Sequence, residues 1–144
     1  MTASLAFTVI CVLHSLIVVF CGSLMMFHAR AIYSLGHGTD AAKRLLRSTP
    51  QDRLLIRTSD SLAGLLLLAI GLLLLMVSNI KDREFQDFFA KACTVLHVFV
   101  VVWRVSFEGR VEHLAGDCLR QTVGDFLALS WLLFIIYSWR KKYD

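Results

Sequence analysis

Ser61 to Ser78, SLAGLLLLAIGLLLLMVS, is an unbroken apolar stretch without a single charged side chain. A membrane-spanning helix needs about 20 predominantly apolar residues, and this run is close to that length. Backbone polar groups must find their partners within the segment when it crosses hydrocarbon, and the run shows no two-residue alternation. The stretch therefore predicts a transmembrane helix.

Composition extends this prediction to the whole chain of 144 residues, of which 57% are hydrophobic and 18% charged. A mean hydropathy of +0.66 exceeds that of a typical soluble domain. We predict one domain, residues 1–144, folded as an all-α integral membrane four-helix bundle. The predicted spans are residues 4–27, 61–78, 88–107 and 122–138.

The third span has the weakest pattern, because its uncharged centre covers only residues 92–103, between Lys91 and Arg104. A chain with three spans and a non-spanning third segment is the alternative.

Residues 28–60 form the only long connection, which is rich in basic residues. Thr49-Pro50-Gln51-Asp52 is typical of a helix start, with a capping hydroxyl, Pro at the first helical position and an early acidic group. Residues 40–47 predict a short interfacial helix before it. The positive charge favours anionic lipid headgroups as partners. Without interleaved aromatic residues or a helix-turn-helix pattern, it does not predict nucleic-acid binding.

The chain ends in Lys141-Lys142-Tyr143-Asp144, directly after an apolar run. This ending resembles the dilysine retrieval signal of endoplasmic reticulum membrane proteins, and it is equally consistent with a basic flank that stops transfer of the last helix. Retrieval requires a cytosolic carboxyl terminus. In a four-span chain, however, the opposite side carries more of the basic residues, which favours a cytosolic first loop. Orientation therefore stays open.

Ionisable residues near the span ends are expected to be paired or functional, because charges in hydrocarbon are costly. Four spans bring the start of the second, the end of the third and the start of the fourth to one membrane face. We predict an intramembrane polar network there, with a ligand-binding pocket as the alternative. Its members are His28, Asp60, Arg104, Glu108 and Asp125.

His14 and His97 fall near the middle of the first and third spans. Two facing imidazoles could ligate a haem iron inside a helical bundle, so haem b is the one cofactor to consider. Each ring could instead donate to a backbone carbonyl or hydroxyl. The cysteines show no zinc-like spacing, and we predict no metal site and no catalytic residues.

Gly64 and Gly71 lie one heptad apart and make the second helix thin along one face. Another helix could approach closely there, from the same chain or from a separate subunit.

Three stretches, LLIRTSDSLAGLLLLAIG, KDREFQDFFAKAC and RQTVGDFLALSW, resemble a group of small uncharacterised plant membrane proteins. That resemblance implies no activity. In size, four-span layout and basic tail the chain is also similar to small scaffold proteins that tether sterol-synthesis enzymes in the endoplasmic reticulum, although no motif is shared.

Together these observations predict a multi-pass protein of the endoplasmic reticulum membrane. We expect a non-enzymatic accessory or scaffold for membrane proteins or lipids, acting with other membrane proteins or by self-association. The alternative is a small lipid-active membrane enzyme or a bis-histidine haem protein.

Overall fold

The computed structural model describes residues 3–28, 49–107 and 118–143. These residues form four helices and no strand. The helices are α1 (Ala3–Phe27), α2 (Pro50–Val77), α3 (Arg83–Phe107) and α4 (Cys118–Tyr143). The predicted interfacial helix at residues 40–47 lies outside the described residues.

All four helices are long and apolar enough to cross a membrane, and this includes the third, over Arg83–Ser106. The prediction of an all-α, four-helix membrane fold is therefore confirmed. The third helix is long enough to cross although the uncharged centre of its span is short. Its flanking Lys91 is exposed on the helix surface, where a long basic side chain can reach toward the headgroups.

The first turn of α2 is closed by a reciprocal cap. The Thr49 side chain accepts a hydrogen bond from the Asp52 amide, and the Thr49 amide donates to the Asp52 carboxylate. Pro50 supplies the preset backbone angle of the first helical position. Residues 50–60 of the predicted basic loop are thus helical. With 28 residues, α2 rises about 42 Å and exceeds the hydrocarbon core by about two turns.

The order of packing across the bundle is α2, then α1, then the pair α3 and α4. Helix α1 makes its most extensive contacts with α2, and on its other side it contacts both α4 and α3. Helices α3 and α4 pack against each other, whereas α2 meets neither of them by more than marginal contacts. The core lies where α1, α3 and α4 converge, with the end of α2 closing one end; its largest fully buried side chains are Trp131 and Phe7.

The α1–α2 seam brings two backbones into direct contact. A Cβ atom built at Gly64 would lie 2.7 Å from the carbonyl oxygen of Gly22, and a Cβ at Gly22 would lie 2.7 Å from that of Gly64. Further along, the Ser15 hydroxyl donates to the Gly71 carbonyl at 2.7 Å. Close backbone approach and a hydroxyl bond to a carbonyl are the usual substitutes for hydrophobic driving force between helices in lipid. The thin face of the second helix is therefore occupied by α1.

Hydrogen bonds at one end of the bundle join the start of α1 and the turn between α2 and α3. The Thr8 hydroxyl donates to the Ser78 carbonyl at 2.9 Å, and the Gln86 side chain donates to the Ile80 carbonyl at 2.7 Å. The end of α4 reaches the same face, where the Ser138 hydroxyl donates to Asp87. Helix α3 therefore runs the full length of the bundle, from this face to the opposite one.

Candidate polar sites within the bundle

A histidine pair lies at the middle of the bundle. The rings of His14 on α1 and His97 on α3 have centroids 5.5 Å apart, with an angle of 53° between their planes. His14 is 8% exposed, and His97 is partly buried. The topology brings them together because both helices cross the core in full and both residues sit near the helix midpoints.

Each imidazole has one nitrogen with a defined partner. The indole N–H of Trp131 on α4 donates to Nδ1 of His14 at 3.0 Å. Nδ1 of His97 lies 2.7 Å from the carbonyl oxygen of Cys93. A carbonyl oxygen only accepts, so Nδ1 of His97 carries a proton, whereas Nδ1 of His14 does not. In their neutral forms, His14 therefore has its proton on Nε2, and His97 has a lone pair there.

Aromatic side chains enclose the histidine pair on the α4 side. Trp131 is fully buried, with its ring centroid 6.1 Å from that of His14, 6.0 Å from Phe7 and 5.9 Å from Phe89. The contacts with the two phenylalanines are edge-to-face, the geometry that the ring quadrupoles favour. Trp131 is the centre of this cluster.

Bis-histidine ligation requires each imidazole to present a nitrogen lone pair to one iron. Nδ1 of His14 is engaged by the Trp131 indole, so in its neutral form His14 has no free lone pair for an iron, whereas Nε2 of His97 has one. In the part of the chain that the structure describes, no group of three or more His, Cys, Asp or Glu residues is arranged to hold a metal ion.

The predicted polar network includes an ion pair at the face opposite the α2–α3 turn. Arg104 of α3 and Asp125 of α4 lie 3.4 Å apart, with side chains 21% and 50% exposed. Asp60 is partly buried in α2, and His28 is exposed directly after α1. Glu108 lies outside the described residues. The structure thus brings Arg104 and Asp125 together across the α3–α4 contact.

The Arg104–Asp125 pair should contribute little to stability. In a double-mutant cycle with Arg104→Leu and Asp125→Asn, we expect a coupling free energy of about 0.5 kcal/mol, because both residues lie within three residues of the ends of their candidate spans, where water and salt screen the pair. Unfolding in detergent mixtures at low and high salt measures it. A coupling of about 2 kcal/mol that persists at high salt would mean instead that the pair is desolvated and holds α3 to α4.

The polar residues at the α2–α3 turn were not singled out in the sequence. Gln86 is 1% exposed and donates both to the Ile80 carbonyl and, at 3.4 Å, to the Ser4 hydroxyl. The only signal was a spacing of four between Ser4 and Thr8, which puts two hydroxyls on one face of α1. This group joins three helix ends and satisfies backbone groups that would otherwise be unpaired near the hydrocarbon.

Lys141 and Lys142 fall in the last turn of α4, which continues to Tyr143. The hydrogen bond from Ser138 of α4 to Asp87 of α3 lies at the same end of the bundle as the start of α1. The dilysine and the amino terminus therefore share one side of the bundle.

The helices and buried polar contacts define the chain as an all-α protein with four candidate membrane spans. It belongs to a family described as a domain of unknown function (DUF7865), whose profile matches residues 2–132. No curated protein and no solved structure matches it. Family membership agrees with the resemblance to uncharacterised membrane proteins and brings no activity with it.

Proposed function

We propose that this protein is a non-enzymatic accessory or scaffold of the endoplasmic reticulum membrane, which presents α2 to other membrane proteins. The observation that carries the proposal is the position of α2. It is attached to the bundle along a single glycine-lined seam with α1 and lies at the edge of the assembly.

The side of α2 that faces away from the seam is apolar from Leu62 to Met76. Its large side chains are more than half exposed; they include Leu62, Leu66, Leu73 and Met76. A helix held on one side only leaves a full-length surface for another helix, and association in lipid depends on such packing. The same surface also contacts lipid whenever no partner is bound.

The first turns of α2 extend beyond the hydrocarbon core and suit contacts at the membrane surface. Arg53 and Arg57 are exposed in its first turns, beyond the apolar part of the helix. Basic residues at this depth attract anionic headgroups, with about 1 kcal/mol for each residue near the surface. Anionic lipids are therefore the proposed lipid partners.

Retention in the endoplasmic reticulum rests on Lys141 and Lys142. We expect Lys141→Ser with Lys142→Ser to release the protein to later compartments, provided that the carboxyl terminus is cytosolic. Reporters at His37, Gly109 and the carboxyl terminus establish the orientation. A luminal carboxyl terminus, or unchanged localisation of the double variant, would remove the support for retrieval.

Site-specific photo-crosslinking tests the scaffold role. A photoreactive amino acid at Leu66 or Leu73 of α2 should give discrete protein adducts in native membranes. Leu129 of α4 is exposed to a similar degree, at 56% against 57% for Leu66, and provides the matched control position. Adducts of equal yield at Leu129, or lipid adducts alone at all three positions, would contradict a docking role for α2.

The lipid-active enzyme is the second candidate, and the observations in its favour are the two polar pairs within the candidate spans, Arg104–Asp125 and His14–His97. If Arg104 and Asp125 served such an activity, cellular lipids would change in Arg104→Leu and Asp125→Asn at normal protein abundance. Unchanged cellular lipids in both variants would argue against the enzyme and support the scaffold role. The haem alternative is tested by the absorption spectrum of the protein after expression with haem supply. A Soret band would support haem binding, and its absence would end this alternative.

A further inference from the structure

Two nitrogen atoms at the centre of the bundle, one on a buried and one on a partly buried histidine, have no hydrogen-bond partner among the described residues. These are Nε2 of His14 and Nε2 of His97, since the known bonds of both rings use Nδ1. An unpaired polar group in hydrocarbon costs free energy, and it is expected to be satisfied by a ligand or by water.

The two atoms are chemically complementary. Nε2 of His14 is a donor and Nε2 of His97 is an acceptor, as the bonds at Nδ1 require. One group that accepts from the first and donates to the second satisfies both, and a hydroxyl group does this with a single oxygen atom. Such an oxygen lies about 2.8 Å from each nitrogen and, with its two hydrogen bonds at about the tetrahedral angle, bridges nitrogens about 4.6 Å apart. Because each Nε2 lies on the perimeter of its ring, ring centroids 5.5 Å apart allow the two nitrogens to lie at that separation.

The depth of the site restricts the chemistry of the molecule that carries the hydroxyl group. His14 and His97 lie near the midpoints of two helices that cross the whole bundle, where a charged headgroup would be costly to bring. Access is from the lipid side, because His97 is only partly buried and its neighbours Leu96 and Val98 are more than half exposed. An uncharged, mainly apolar molecule with one hydroxyl meets both conditions.

We propose that His14 and His97 form a binding site for the hydroxyl group of an uncharged lipid alcohol. His14 donates to the hydroxyl oxygen, the hydroxyl proton is donated to His97, and the apolar remainder lies along α3 in the hydrocarbon. Trp131 keeps His14 in the required tautomer. This site goes beyond the scaffold role and does not depend on it, because α2 takes no part.

Photolabelling of the full-length protein in lipid nanodiscs tests the site with a diazirine-bearing 1-octadecanol and its methyl ether. The ether accepts a hydrogen bond but cannot donate one to His97. We expect the alcohol to label peptides of α1 and α3 about fivefold more than the ether, the factor that one net hydrogen bond contributes to an affinity. In His97→Phe this preference should disappear. His28→Phe, at an exposed histidine outside the bundle core, is the matched control and should keep it.

Equal labelling by alcohol and ether in the unmodified protein would overturn the proposal, and so would a preference that survives in His97→Phe. A second measurement needs no variant. Nitrogen-15 NMR of labelled histidines should show His14 protonated at Nε2 and His97 protonated at Nδ1, with the His97 Nε2 resonance moved by octadecanol and not by the ether. A response to neither probe would assign the site to water alone and overturn the lipid proposal.

Discussion

Gly64→Leu is expected to lower the free energy of unfolding by about 3 kcal/mol, the upper part of the range for overpacking a tight interface. The first carbon atom of the new side chain would lie 2.7 Å from the Gly22 carbonyl oxygen. That oxygen belongs to the backbone of α1 and cannot move alone, so the two helices must separate. Titration of the purified protein from mild detergent into denaturing detergent measures the loss.

The matched control for this seam is a pair of glycine-to-alanine changes. Gly124→Ala adds a Cβ whose nearest neighbour is an Arg104 nitrogen at 3.9 Å, so it should not destabilise the protein. The better helix propensity of alanine favours both changes by about 1 kcal/mol. In Gly64→Ala the clash of the new Cβ with the Gly22 carbonyl oxygen should outweigh that gain, so we expect this change to lower the free energy of unfolding. Equal effects at the two positions would mean that α1 and α2 are not in backbone contact.

Trp131→Ala should have an effect of similar size, about 3 kcal/mol, through loss of packing around α4. The indole is fully buried against Phe7, Phe89 and His14, and its removal leaves a cavity that these stiff rings cannot fill. It also takes away the hydrogen bond to His14. Trp139→Ala, at a residue 60% exposed on the same helix, is the control and should cost less than about 0.5 kcal/mol. Comparable losses for both tryptophans in the same detergent titration would contradict a core centred on Trp131.

The number and type of the helices were accessible from the sequence because lipid imposes a strong constraint. Only helices satisfy their own backbone groups in an open chain, and length with apolarity then marks each crossing. The start of α2 at Pro50 was equally readable, since Thr49 and Asp52 form their cap within one turn. Local chemistry of this kind does not depend on the rest of the fold.

The sites were predictable only as sets of candidates. His14 and His97 could be placed at similar depth, yet the tautomer of His14 depends on Trp131, which lies 117 residues further along the chain. Arg104 was expected among several acidic groups, and the contact of α3 with α4 places Asp125 beside it. Gln86 carried no signal, because a polar residue at the start of a helix is usually solvated.

Hydropathy and capping thus established four helices, their approximate bounds and a thin face at Gly64 and Gly71, all from interactions within a single segment. The order of the helices was decided by tertiary packing alone. Apolar helices in lipid have no hydrophobic preference for one another, so their neighbours are chosen by shape and by a few hydrogen bonds. Contact between Gly22 and Gly64 attaches α2 to α1, and the aromatic cluster around Trp131 attaches α4 to the other side. Those contacts leave α2 at the edge and the histidine pair at the centre.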